Sequence, residues 1–419
     1  MPGLLFANKN GELFDLPGVA AVARWGNQWV DITDEDLIPL PEGATLTLIP
    51  ERYPIGISEE TGEFVTFKES PYDGEEIWAV GALLPQGYTR TLLPGFVAQK
   101  NSAPLPLLGY TAVAIVGNEY YVAAIPTAED KKWNPKYYNT PVLEELVEDT
   151  LQSFSNNRII AQLAKCSLEY GCFTAQNIFY GRWEGGIPVS PACNANCLGC
   201  ISLQPSECCP SPQNRIDFIP SVEEVSEVAI KHLENAEDAI VSFGQGCEGE
   251  PTLQGDLLIK AVDSIRSKTG RGTINLNTNG SRPEIIEALA KEGLQSIRVS
   301  IISPEKDNYD AYYRPSGYQV SHAKRALRAA GENGVYTSIN LLTIPGFTDS
   351  ELEVKNLIRF LKETGVCQVQ FRNLNIDPDY FFKALPDGNG ELLGIPRLVD
   401  ILQQELPHLK IGSYTLPVK

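Results

Sequence analysis

An α/β fold built around a parallel sheet is what the sequence predicts, on three observations. Strand-like and amphipathic helical runs alternate between residues 186 and 375 of the 419-residue chain, three cysteines crowd the loop behind the first strand, and polar, glycine-bearing turns close successive strands. The first strand is read at 186–190. A helix follows over 221–235, with Ser221 as N-cap and Glu224 three residues later completing a capping box. The pattern then runs strand 238–243, helix 256–268, strand 273–277, helix 282–292, strand 296–302, helix 318–332, strand 335–343, helix 350–363 and strand 366–371. Six βα-type units of this kind require a parallel sheet with helices outside it. Loops at the C-terminal ends of parallel strands share one face, so the cysteine loop, Glu250, Asn277 and Ser300 are expected at one mouth.

The cysteine loop reads Ser190-Pro-Ala-Cys193-Asn-Ala-Asn-Cys197-Leu-Gly-Cys200, a CxxxCxxC spacing. Three thiolates on one loop can hold three corners of a [4Fe–4S] cube and leave the fourth iron open to a ligand. A structural zinc site prefers four ligands, commonly paired as CxxC elbows, and cysteine also packs as a small apolar side chain. Three cysteines in eight residues, with no histidine beside them, favour the cluster. Downstream, Phe243-Gly-Gln-Gly-Cys-Glu-Gly249-Glu250-Pro251-Thr follows an apolar strand-like run. Its glycines let the main chain approach a ligand, Pro251 fixes the exit of the turn, and Glu250 offers a carboxylate acceptor for an ammonium. A tight loop without a ligand has the same composition. Asn277-Thr-Asn279-Gly280 ends the third strand and Arg298-Val-Ser300-Ile-Ile-Ser303 forms the fourth. Those serines equally suit the polar face of an ordinary strand.

These motifs together resemble the radical S-adenosylmethionine (radical SAM) superfamily over residues 186 to 375. The resemblance implies a partial (β/α)6 TIM-like barrel, a [4Fe–4S] cluster on Cys193, Cys197 and Cys200, and S-adenosylmethionine chelated to the open iron. It implies that Gly249 and Glu250 orient the methionine end, with Asn277, Asn279, Ser300 and Ser303 as further cofactor contacts. Reductive cleavage then yields a 5′-deoxyadenosyl radical that abstracts hydrogen from a substrate, with a reducing partner such as flavodoxin or ferredoxin. The family favours an aromatic residue before the last cluster cysteine; this chain has Gly199, leaving the adenine to backbone groups or other residues. Arg298 or Arg314 could meet a carboxylate, although surface salt bridging is the more ordinary role.

Composition bounds the substrate. The chain is 43% hydrophobic and 21% charged, enough for a sizeable core and two or three domains. Net charge is −19, from 53 acidic against 34 basic residues. Nucleic-acid affinity rests on phosphate neutralisation, so an RNA substrate ranks below a small metabolite or cofactor precursor and below a peptide or glycyl-radical partner. A non-catalytic electron carrier or redox sensor is the alternative outside enzymology, and the Glu250 turn argues against it. No apolar run is long enough to span a bilayer, and the first nine residues lack a basic segment followed by a long apolar stretch, so a cytoplasmic setting without membrane contact is expected.

Outside the barrel, residues 1–140 read as a β-rich accessory domain, with a β-like run at 45–50 and a hairpin over 110–125 turning at Gly117-Asn118. Substrate presentation, partner docking and covering the barrel mouth are its candidate tasks. Residues 141–185 form a helical connector, and 376–419 a C-terminal extension with a helix at 396–405 and a β-like run at 411–416, expected to cap the barrel bottom or its open edge. Six cysteines remain. Cys166, Cys172 and Cys208 or Cys209 are candidates for a second iron–sulfur cluster, Cys247 sits in the methionine-binding turn, and Cys367 is read as packing.

Overall fold

The structure is a computed structural model that describes residues 1–128, 131–204, 209–385 and 390–418. Its centre is a sheet of seven strands in chain order: Arg182–Gly186, Glu237–Phe243, Thr273–Thr278, Ser296–Ile301, Tyr336–Thr343, Gln368–Asn373 and Lys410–Gly412. Every neighbouring pair is parallel. Helices Val222–Asn235, Gly255–Arg266, Pro283–Glu292, Val320–Glu332 and Glu351–Thr364 connect the first six strands, and the first and last strands do not pair among the described residues. This is a partial TIM barrel. The expected capping box is present: Glu224 N donates to Ser221 Oγ at 3.2 Å and Ser221 N to Glu224 Oε2 at 2.7 Å. Glu224 also pairs with Arg158 at 2.7 Å, tying the connector to the barrel.

Three boundaries differ from the sequence reading. The first strand lies at Arg182–Gly186, not 186–190, because Val189 N and Ser190 N leave the ladder to donate to the Glu248 carboxylate. The run near 411 enters the sheet as a seventh strand, so the C-terminal extension is part of the barrel and covers its open edge. Two unforeseen helices, Lys306–Tyr313 and Pro378–Ala384, follow the fourth and sixth strands. The connector consists of helices Leu143–Ser153, Arg158–Leu168 and Phe173–Tyr180.

Strand register explains an unusual lumen. Side chains alternate faces along a strand, and register aligns Ser242 with Asn275, Asn277 with Arg298, Ser300 with Asn340, Asn340 with Gln370, and Leu342 with Arg372. The intervening Leu276, Ile297, Val299, Ile339, Leu341 and Val369 enter the apolar core. Barrel interiors are ordinarily filled with branched apolar side chains; here the inner face is polar and the outer face greasy. Burying the outer face stabilises the shell at roughly 25 cal/mol per Å² of apolar surface. The polar inner face is free to line a cavity.

The N-terminal region is antiparallel β throughout, with thirteen strands in one sheet among the described residues and a separate pair, Ala124–Pro126 with Tyr88–Arg90. Thr45–Ile49 is a strand, and Val113–Val116 turns into Glu119–Val122 through Gly117, whose φ of 63° suits glycine. This region is docked on the barrel mouth. The fully buried Arg90 donates to Tyr110 O and Leu374 O at 3.1 and 2.6 Å, and Arg90 N donates to Asn373 Oδ1 at 3.0 Å. Arg52 and Asp377 form a buried ion pair at 3.1 Å, Arg24 pairs with Asp379, and Trp25 Nε1 donates to Asp349 Oδ2 at 2.7 Å. No helix among the described residues is long and apolar enough to cross a membrane.

Candidate active site

A cavity of about 590 Å³ opens at the C-terminal ends of the strands. Its wall includes Cys193, Cys197 and Cys200, the Gly244–Pro251 turn, Asn277, Asn279, Ser300 and, from the N-terminal region, residues 84–88. One expected contact stands apart: Ser303 does not line the cavity, and its Oγ accepts from Glu305 N at 3.0 Å.

The cysteine loop and the glycine turn are held edge to edge. Gly249 N donates to Ser190 O at 2.7 Å and Glu250 N to Ala192 O at 2.8 Å. A Cβ at position 249 would stand 1.9 Å from Ala192 O, so only glycine permits this approach. Gly244, at φ 78°, is equally constrained: a Cβ there would be 1.8 Å from Asn277 O. The far end of the loop pairs with the helix after the fourth strand, as Asn196 N donates to Tyr313 O and Leu198 N to Tyr312 O at 2.9 and 3.0 Å. Tyr312 Oη lies 3.0 Å from where a Cβ at 199 would stand, so the aromatic group beside Gly199 comes from that helix.

Two buried glutamates lock the turn. Glu250 accepts from Thr252 N at 3.0 Å, Thr252 Oγ1 at 2.6 Å, Thr278 Oγ1 at 2.6 Å and Asn279 N at 2.8 Å. Burial raises its carboxyl pKa against these donors. Glu248, which the sequence reading passed over, accepts from Val189 N at 2.8 Å, Ser190 N at 3.1 Å, Gly244 N at 2.5 Å and Gln245 N at 3.1 Å. Burial pushes its carboxyl up to about 8. It clamps the cysteine loop to the second strand, and its alternation with Glu250 in Cys-Glu-Gly-Glu was the available signal.

Burial also raises the Cys193 and Cys197 thiols, which disfavours bare thiolates there. Arg215 Nη2 lies 3.6 Å from Cys200 Sγ and its Nε donates to Ser202 Oγ at 3.2 Å, placing a cation beside the loop. Among the described residues no three His, Cys, Asp or Glu side chains gather closely enough to hold one metal ion; a cubane takes each thiolate on a separate iron. Cys166 adjoins Cys247, whose thiol hydrogen bond lowers the Cys166 pKa. Cys172 is half-buried, Cys209 is buried, and Cys208 lies outside the described residues. Cys367 is exposed rather than packed inside.

Deeper in the lumen sits a group that composition did not reveal. Glu184 Oε1 accepts from Ser242 Oγ, Gln245 Nε2 and Thr415 Oγ1 at 2.6, 3.3 and 3.2 Å. Arg298 is a lumen residue, 7% exposed, and not the surface ion-pair partner that its sequence position suggests. Its Nη1 donates to Gln370 Oε1 at 3.0 Å and Thr415 Oγ1 at 3.4 Å. Arg314 is exposed at a helix end. Arg372, two positions beyond Gln370, also lines the cavity. The alternation Gln368-Val-Gln370-Phe-Arg372 was its sequence signal.

Residues 187–358 match the family model for the radical SAM superfamily. A putative glycyl-radical enzyme activating enzyme of Methanocaldococcus jannaschii is 26% identical over 36% of this chain and 60% of its own length. A GTP 3′,8-cyclase of Marinobacter nauticus is 27% identical over 43% of this chain and 50% of its own. The chain thus spans about half to three-fifths of these curated relatives. Among solved structures, a radical SAM methyltransferase from Sphaerobacter thermophilus aligns with a TM-score of 0.38 and 20% identity, covering 56% of this chain and 65% of that one.

Proposed function

The chain carries a radical S-adenosylmethionine superfamily domain over residues 187–358, and on that premise we propose that it is an enzyme using a [4Fe–4S] cluster and S-adenosylmethionine to take hydrogen from a small metabolite or cofactor precursor. The observation that carries this reading is the edge-to-edge pairing of the cysteine loop with the Gly249-Glu250 turn, which puts the thiols and the turn on one cavity wall. The donor set suits the cluster: three thiols on one loop, no fourth cysteine on it, and space beside them. When bound, the cluster and S-adenosylmethionine supply reductive generation of a 5′-deoxyadenosyl radical.

This chain's residues bind, orient and exclude water. Cys193, Cys197 and Cys200 hold iron, and Arg215 offsets thiolate charge at Cys200. Gly249 brings bare backbone up to the methionine end. Glu250 Oε1 is taken by three donors and Oε2 by one, leaving Oε2 a lone pair for an ammonium. Asn277, Asn279 and Ser300 are further contacts, Ser303 acts behind the wall, and Tyr312 offers the adenine an aromatic neighbour. The roof formed by residues 84–88 supports a small substrate over a peptide or a glycyl-radical partner protein. A flavodoxin- or ferredoxin-type reductant would deliver the electron.

Anaerobically reconstituted protein given dithionite and S-adenosylmethionine should release 5′-deoxyadenosine. The Cys193→Ala, Cys197→Ala, Cys200→Ala triple variant should release none and lose its iron and charge-transfer absorption. Reversible cluster reduction in the wild type without deoxyadenosine would establish an electron carrier, and four irons retained in the triple variant would locate the cluster elsewhere.

A further inference from the structure

Arg372 carries a charge and has no partner among the described residues. Among the described residues its guanidinium donates no hydrogen bond, forms no ion pair and stacks on no ring, although it lines the cavity below residues 84–88. Glu184, the lumen carboxylate whose charge reaches it, lies beyond ion-pair distance. Burial and the like charge of Arg298 both lower its basicity, and its side chain is half-buried, so a ligand entering the cavity can reach it. Arg298, by contrast, is held by Gln370 and Thr415.

Other polar atoms on the cavity wall are also unused. Asn277, 6% exposed, has Oδ1 fixed by Asn275 Nδ2 at 3.0 Å, which leaves Nδ2 as a buried donor without a partner. Asn340 Oδ1 and Gln86 Oε1 are buried and unpartnered as well. These groups come from the third and fifth strands and the roof, and they surround the same cavity as Arg372. A guanidinium fork recognises a planar or tetrahedral oxyanion through paired N–H bonds, while the free oxygens of Asn340 and Gln86 are acceptors for an N–H or O–H elsewhere on the same ligand.

We propose that the substrate carries an oxyanion group, a carboxylate or a phosphate, which Arg372 receives, with Asn340 Oδ1 accepting from an N–H or O–H beside it on the same ligand. The inference rests on the radical enzyme reading for the word substrate, and on the unpartnered guanidinium for the chemistry. Position separates Arg372 from the cofactor's expected seat: it ends the sixth strand, while Gly249 and Glu250 follow the second.

Arginine modification by phenylglyoxal, mapped by peptide mass spectrometry on the reconstituted holoprotein, tests it. Arg372 should react while Arg298 stays protected. With S-adenosylmethionine present, inorganic phosphate or malonate should slow the Arg372 reaction about tenfold relative to chloride at equal ionic strength, and the anion that protects identifies the oxyanion. Equal reaction in both anions and chloride overturns the proposal, and so does full protection by S-adenosylmethionine alone, which would assign Arg372 to the cofactor. The protecting anion should also raise the wild-type melting temperature, and Arg372→Gln should abolish that rise; an equal rise in the variant would overturn the proposal. These readouts need no turnover, so a wild type that makes no 5′-deoxyadenosine sinks the enzymatic reading while leaving oxyanion recognition separately measured.

Discussion

The two halves of the cavity are built on opposite plans. Around the first three strands the carboxylates are engaged: Glu248 and Glu250 each accept four hydrogen bonds, two glycines let backbones touch, and Asn277 Nδ2 is left as a free donor. Around the fifth and sixth strands Arg372 and Asn340 Oδ1 have no partner among the described residues, and the wall is completed by residues from the far N-terminal end. A saturated wall is rigid and suits a cofactor that never changes. A wall with unused donors is unfinished until a ligand arrives.

The largest effect should come from tightening the saturated half where it has no room. Gly249→Ala places a methyl 1.9 Å from Ala192 O, and the turn must part from the cysteine loop. Deoxyadenosine release should fall on the order of a hundredfold, the usual result of moving reacting groups by about an ångström. Iron content should change little, since the thiols remain. Unchanged release would show that the edge-to-edge pairing does not set the geometry.

A smaller effect, on stability, should come from the roof. Arg52→Met strands Asp377, 3% exposed, without its cation. Urea unfolding should show a loss of about 3–5 kcal/mol, most of it the cost of an uncompensated buried charge. If the loss is confined to an early transition while the barrel unfolds later, the N-terminal region is a separable body; one shared transition makes it part of the barrel's own cooperative unit.

The smallest effect is a pH dependence at the same seam. Burial raises the Asp349 carboxyl to about 6 despite the bond from Trp25 Nε1. The folded chain therefore holds this proton to higher pH than the unfolded chain, so the stabilising contribution is complete below about 4 and is lost as pH rises through about 6. Across that window Asp349→Asn should flatten the wild-type decline, by up to about 3 kcal/mol. Parallel stability–pH curves for the two proteins would remove Asp349 from the account.

How far the sequence reveals this molecule follows from the distance over which each feature is encoded. The barrel strands and the cysteine loop are legible because a period of two, a capping box and a CxxxCxxC spacing all lie within a dozen residues. The resemblance to the radical SAM family names the same loop and turn, and the family match covers 187–358. The roof is not legible. Its anchors join Arg90 to Leu374 and Arg52 to Asp377, separations of 284 and 325 residues that no local pattern encodes. Arg372 is visible as an arginine on a polar strand face, but its lack of a partner is a property of the whole cavity. The serines of the fourth strand suit either a ligand or an ordinary polar face; the register and the cavity put Ser300 on the lumen side, while Ser303 stays outside the cavity wall.

The C-terminal tail adds a rule of traffic. Past the seventh strand, Tyr414 O accepts from Gln368 Nε2 at 3.1 Å, Thr415 Oγ1 reaches Glu184 and Arg298, and Val418 N donates to Thr273 Oγ1 at 2.8 Å at the start of the third strand. The tail is thus laced across the end of the barrel opposite the cysteines, and the lumen becomes a dead-end street rather than a tunnel. In a dead-end street the deeper guest must arrive first and depart last. Any order in which ligands load would then be written into the architecture, with residues 413–418 acting as the wall at the end of the road.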